Sequence, residues 1–243
     1  MQNSIKIIRF LITFILMPML MSAQAPADKK IITKDETAFL QEMMAEIKES
    51  DQKYRNYLSC ETMDDKLIAQ MDSVYEAAGI EAYIAYQQSL GLKLDETLKD
   101  SLWQMQHAID LQNHLTLKGI FTTYGFLSEE LLDKNFFVQL LLLMHPPKDW
   151  DIPTYLQEYS TLLKAEVKAG RMPAITYATF YDNIKGKIMK EPQLYGTNQQ
   201  FDVKSNKVLP PGIVDLQKTN EARKAIGLPR LKDGEYRILD AQK

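Results

Sequence analysis

Between Thr33 and about residue 190, apolar side chains recur at spacings of three and four residues, and Gly and Pro mark most of the joins between the recurring segments. That period is the face of an α-helix and not the alternation of a strand, so the chain is predicted to be mainly α. Thr33 and Glu36 form a capping-box pattern ahead of Phe39, Leu40, Met43, Met44 and Ile47 on one face. Thr62 and Asp65 open a second segment with Leu67, Ile68, Met71, Val74, Tyr75 and Ala78 inward. Gly79 breaks it, and Gly91 ends the piece that follows. Asp95 caps a long helix whose inward row is Leu98, Leu102, Met105 and Ile109, continuing towards Leu117.

Gly125 marks a turn, and Ser128 with Glu129 and Glu130 reads as the next start. Residues 136–144 are apolar on all sides apart from Gln139, which predicts a central helix stopped by Pro146 and Pro147. Asp151 and Pro153 begin another helix, closed at Gly170, and one more runs over about 173–189. From Lys190 the pattern changes. Pro192, Gly196, Pro210, Pro211 and Gly212 break up a segment in which residues 201–203 and 208–209 can pair as a hairpin around Ser205 and Asn206. A last helix spans about 215–226. The expected architecture is an irregular helical bundle with a loop-rich C-terminal cap containing a short β-hairpin.

The N-terminal residues bear on location. Lys6 and Arg9 precede an apolar run over residues 10–21, and Ser22, Ala23 and Gln24 supply small-residue cleavage chemistry. A helix crossing a bilayer needs about 20 apolar residues, and this run is shorter and carries Pro18. Residues 1–24 therefore read as a signal peptide, residues 25–243 as a single mainly helical domain, and the destination as periplasmic or extracellular, with no membrane span after cleavage. Export makes chemistry based on ATP or NAD a poor expectation. The lone cysteine, Cys60, has no partner for an internal disulfide and reads as a small buried apolar residue. The chain carries a net charge of -3, and without Lys6 and Arg9 27 basic residues face 32 acidic ones. A mildly acidic domain with no basic block lacks the footprint of a nucleic-acid binder.

Motifs for metalloprotease, serine hydrolase, P-loop, dinucleotide or dithiol chemistry are absent from the sequence. His107, Asp110 and His114 share one helical stripe, but two imidazoles seven residues apart lie about 10.5 Å from one another along the axis, too far to share one ion. That stripe reads as a solvated polar face. His145 ends a very apolar helix, where it can serve as a general base or donate to a free carbonyl at the helix end. The run Pro192, Gln193, Leu194, Tyr195, Gly196, Thr197 places donors and acceptors beside a Gly that allows close backbone approach. It can grip a polar ligand or hydrogen-bond to helix ends in its own fold.

That hexapeptide, preceded by Asp182 and followed by Asp215, Arg223 and Ile226-Gly227-Leu228, resembles the bacterial domain of unknown function 6624 family, whose members show PQxYGTQ and then a short acidic-and-Arg helix ending in GL. The likeness extends back through Leu142-Leu143-Met144-His145, Tyr124-Gly125-Phe126, Lys118-Gly119-Ile120, Asn113 and Asp110, covering about 95–240. Asn198 stands where the family has Gln, and Asn183 where an Arg commonly follows the Asp. The family brings no activity with it. The resemblance implies that Asp110, Asn113, His145, Asp182, Gln193, Tyr195, Thr197 and Arg223 belong together.

Two functions follow as expectations. In the first, those groups converge on a pocket for a small polar or peptide-like ligand, in a hydrolase or transferase needing no metal or other cofactor. His145 is then the general base, Asp110 or Asp182 orients it, Asn113, Gln193, Tyr195 and Thr197 hold the ligand, and Arg223 neutralises an anionic group. No nucleophile is apparent. In the second, the protein is a non-catalytic envelope binding or scaffolding module whose same polar residues brace the C-terminal cap against the bundle.

Overall fold

The computed structural model describes residues 32–202, 205 and 207–239. The expected signal peptide, and residues 203 and 206 of the expected hairpin, lie outside the described residues. The chain is mainly α. Its helices are α1 (Lys34–Gln52), α2 (Arg55–Cys60), α3 (Asp65–Leu90), α4 (Glu96–Tyr124), α5 (Glu129–Leu132), α6 (Val138–Leu143), α7 (Ile152–Lys168), α8 (Ala174–Asn183) and α9 (Leu216–Ala225). A π-helical turn over Ile184–Ile188 extends α8. The strands are β1 (Gln200–Asp202), β2 (Lys207–Leu209), β3 (Gly212–Ile213) and β4 (Arg237–Ile238). β1 pairs antiparallel with β2 as the sequence predicts, with Phe201 opposite Val208, while β3 pairs parallel with β4.

Local chemistry sets the starts and stops. The Thr33–Glu36 capping box forms in both directions, satisfying backbone donors that the first turn of α1 leaves free. Asp64, Asp95, Asp151 and Asp215 accept N–H bonds at the starts of α3, α4, α7 and α9. Gly79 sits inside α3 with φ 79° and ψ -174°, a conformation open to Gly, and kinks the helix where the sequence predicts a break.

The main core lies among α1, α4, α6, α7 and α8. Leu40, Met44 and Ile47 of α1 meet Leu117, Ile120 and Phe121 of α4, with Leu142, Leu143, Leu163, Tyr177 and Phe180 behind them. α6 is central, as expected, but shorter than its apolar run, and Phe137 points outward. Its one polar residue, Gln139, is fully buried and clasps the preceding turn: Oε1 accepts from the Leu127 N–H and Nε2 donates to the Leu127 carbonyl, each at 3.0 Å. A separate small cluster of Cys60, Ile68 and Met71 packs the α2–α3 corner, and Cys60 is buried there as expected.

Two expected faces are displaced. Tyr75 and Ala78 of α3 are exposed, because α3 carries little of the main core and buries only Ile68 and Met71. In α4 the predicted row Leu98, Met105 and Ile109 is not the core face: Leu98 is 37% and Met105 42% exposed. The buried row is Leu102, Gln106, Asp110, Asn113, His114, Leu117, Ile120, Phe121 and Tyr124. The stripe read as solvated is thus buried at Asp110 and His114, while His107 is partly exposed and stacks on Trp103.

Candidate functional site

The eight residues singled out in the sequence fall into two polar networks. Asp110, Asn113 and His145 belong to the first, where α1, α2, α4 and the end of α6 meet. Asp182, Gln193, Tyr195, Thr197 and Arg223 belong to the second, where the C-terminal cap joins α8.

Three residues of the first network, Asp51, Arg55 and Gln106, were not foreseen. Asp51 ends the buried row of α1 formed by Leu40, Met44 and Ile47, and it is fully buried. Its carboxylate lies 3.1 Å from His145 Nδ1 through both oxygens. A carboxylate can only accept, so Nδ1 carries the hydrogen and the neutral ring has its lone pair on Nε2. The His145 side chain is 25% exposed. Arg55 opens α2 and points back, making a two-pronged pair with Asp110, Nη1 to Oδ1 at 2.7 Å and Nη2 to Oδ2 at 2.8 Å. Arg55 Nη1 also reaches the Asp51 carbonyl at 2.8 Å, and Gln106 Nε2 donates to Asp110 at 2.9 Å.

Asp110 therefore does not orient His145, because its oxygens are held by Arg55 and Gln106; Asp51 does so instead. Nor does the His145 ring cap a helix end. Burial drives the Asp51 carboxyl upward, but the hydrogen bonds from His145 and Gln52 and the positive charge of Arg55 outweigh it and hold its pKa below the ordinary value. Behind this network His114 Nε2 donates to the His145 carbonyl at 2.9 Å, among the rings of Trp150, Tyr155 and Tyr159. Burial there pushes the His114 pKa down to about 4, so the ring is neutral near pH 7.

Asn113 joins this network to a cavity. Its Nδ2 donates to Ser50 Oγ at 3.2 Å, and the Ser50 hydroxyl donates to the Ile47 carbonyl at 2.9 Å. Both side chains line a groove of about 340 Å³ between α1 and α4 whose walls are otherwise chiefly Phe39, Leu40, Met43, Ile47, Leu115 and Ile120. This groove is apolar, where the sequence suggests a polar pocket.

The second network is turned in on itself. Asp182, at the end of α8, is buried, and residues 194–197 wrap it. Oδ1 accepts from the Leu194 and Tyr195 N–H groups at 2.9 Å, while Oδ2 accepts from Thr197 N–H at 3.0 Å and Thr197 Oγ1 at 2.9 Å. Burial raises the Asp182 pKa against the pull of those donors. Gln193 Oε1 accepts from the Thr197 and Asn198 N–H groups, and its Nε2 donates to the Asn198 carbonyl. Arg223 donates to the Tyr195 carbonyl at 2.7 Å and the Pro229 carbonyl at 2.6 Å. The Tyr195 ring is buried edge-on against Tyr177 and Tyr181. Gly196 has φ +63°, and a Cβ there would stand 2.9 Å from Leu231 and 3.2 Å from Ile213, so the close approach it permits is to the cap's own side chains.

Asp182 thus orients a loop and not His145, and Gln193 and Tyr195 are committed to internal partners. Thr197 and Arg223 line a shallow depression of about 450 Å³ with Lys187, Asn198 and Glu235. Neither this depression nor the α1–α4 groove includes both His145 and Tyr195 in its lining. Among the described residues, no cluster of three or more His, Cys, Asp or Glu is placed to hold a metal ion, and no helix is long and apolar enough to cross a membrane. No family model matches the chain, and neither a search of curated proteins nor one of solved structures found a match.

Proposed function

We propose that the protein is an exported hydrolase or group transferase that uses no metal, with His145 as general base and Asp51 as the carboxylate that orients it. The observation that carries this reading is the pair itself. A fully buried carboxylate fixes Nδ1–H of an imidazole that remains partly open to solvent. In that tautomer Nε2 can take a proton from water or from a substrate hydroxyl, and Asp51 stabilises the imidazolium so formed. Water is the economical nucleophile. It loses its proton to Nε2 as its oxygen adds to an acyl carbon, and the leaving group takes the proton back as the acyl bond breaks. Arg55 keeps Asp51 ionised and in place. The likeness to the domain of unknown function 6624 family supports the location of the site at His145 and supplies no reaction.

The test is hydrolysis of a chromogenic p-nitrophenyl ester by the wild type, His145→Gln and Asp51→Asn, with circular dichroism as the check on folding. Loss of about a hundredfold or more in kcat/KM in both variants is expected for removal of a general base and its orienting group. Equal rates in the three folded proteins refute the assignment.

The second reading, a non-catalytic module in which polar residues brace the cap, is favoured by the Asp182 network, where every donor comes from the chain itself. The two readings concern different networks and are separable. The brace belongs to Asp182, Gln193 and Arg223, and the chemistry to His145 and Asp51.

A further inference from the structure

The groove between α1 and α4 is an apolar hollow that the dyad does not use. Hydrogen bonds at its two ends fix its direction. Ser50 meets Asn113 at one end, and Tyr124 Oη donates to Glu36 at 3.3 Å beyond the other, so the helices run antiparallel along it. Its α1 wall extends from Phe39 to Ser50, about 16 Å at 1.5 Å per residue. Its volume of about 340 Å³ falls within the range of small-molecule pockets, and its few polar groups are gathered towards one end.

From these features we infer that the groove binds a single-chain neutral amphiphile with an alkyl tail of about a dozen carbons, its hydrogen-bond-donating head at Asn113. An extended alkyl chain with bonds near 1.5 Å and angles near 111° advances about 1.25 Å per carbon, so about twelve carbons cover the apolar wall. The head group follows from the polar end. Ser50 Oγ lies 2.9 Å from the Ile47 carbonyl, 3.3 Å from Asn113 Oδ1 and 3.2 Å from Asn113 Nδ2; its single hydrogen serves the two carbonyl oxygens, and Asn113 Oδ1, with two lone pairs, keeps one to accept from a guest. Asn113 is buried, so an accepted hydrogen bond there carries selectivity. The one charged residue lining the groove is Glu46. A carboxylate head can take the second Asn113 Nδ2 hydrogen but cannot donate to Oδ1 and is repelled by Glu46, whereas an alcohol or amide can both donate to Oδ1 and accept from Nδ2 without that repulsion. The apolar row of α4 expected from the sequence, with Leu98, Met105 and Ile109, lies on the groove side of that helix: Ile109 lines the groove and the other two are exposed. A tail longer than the pocket would extend along it.

The inference does not rest on His145 acting as a base, because the binding is read without turnover. The test is titration calorimetry of the full chain with dodecan-1-ol and with dodecanoate, both below their aggregation limits at pH 8, where the acid is ionised. Saturable one-to-one binding of the alcohol is expected, with dodecanoate weaker by about tenfold or more. Thr116→Trp, which fills the groove from a partly exposed position, should weaken the alcohol by about tenfold or more. If that variant does not fold, Thr116→Phe takes its place. Failure of the wild type to bind the alcohol overturns the inference, as does equal affinity in a folded groove-filling variant. Dodecanoate binding as tightly as the alcohol overturns the assignment of the head group.

Discussion

His114 is held neutral by the rings around it, and that has a price in acid. Its pKa is about 4 in the folded protein against about 6.5 when unfolded. Between those values the unfolded chain binds a proton that the folded chain refuses, so stability falls as the pH drops from about 6.5 to about 4 and then levels off. One proton corresponds to a slope of about 1.4 kcal/mol per pH unit. Urea unfolding at pH 7, 6 and 5 should show this slope in the wild type and a shallower one, by up to that amount, in His114→Phe. Asp182 gives a second residue-level expectation. Asp182→Ala leaves the Leu194 and Tyr195 N–H groups without their acceptor and strips the Thr197 N–H and hydroxyl of one of two acceptors each, at a cost of about 3 kcal/mol, read as a lowered denaturant midpoint. The lowered pKa of Asp51 acts on a different window, since its contribution is complete above the ordinary carboxylate pKa and is lost as the pH falls through the folded value.

At the scale of elements, helix starts were easy to read and helix faces were not. The Thr33 box, Asp95, Asp151 and Asp215 are local signals, carried by a side chain and a backbone group a few residues apart, and the structure uses each of them. The core face of α4 was obscured because Gln106, Asp110, Asn113 and His114 occupy four of its buried positions. A search for apolar period settles on Leu98, Met105 and Ile109, one quarter-turn away, since it cannot see that Arg55, Ser50 and the His145 carbonyl arrive from elsewhere to satisfy those polar groups. Asp51 was legible in principle, as a charged residue in register with Leu40, Met44 and Ile47, but its partner His145 is 94 residues distant. In the cap, PQLYGT stood out correctly as unusual, and its inward use could not be known without the position of Asp182. Gly79 allows a prediction at this scale: Gly79→Ala, placed at positive φ, should cost about 1 kcal/mol or more in thermal or urea unfolding although no neighbour lies within 4 Å.

Across the molecule, the cap and the bundle meet through few polar fasteners, chiefly Asp182 from the bundle side and Arg223 within the cap. Arg223→Ala removes the link between α9 and the Tyr195 carbonyl. Amide exchange in residues 194–231 should then quicken well beyond any change in α4 and α6, whereas uniform quickening would mean that the whole structure opens as one unit. The hydrogen bonds of α1 have a different reach. Gln41 bonds Leu131 and Asn135, Ser50 bonds Asn113, and Asp51 bonds His145, spanning 63 to 94 residues. Contacts so distant in sequence form late, because long loops must close before they yield any stabilisation. A nascent chain leaving the ribosome therefore cannot fully secure α1 until residue 145 has been synthesised, and over that interval the helix relies on its own capping box to stay wound.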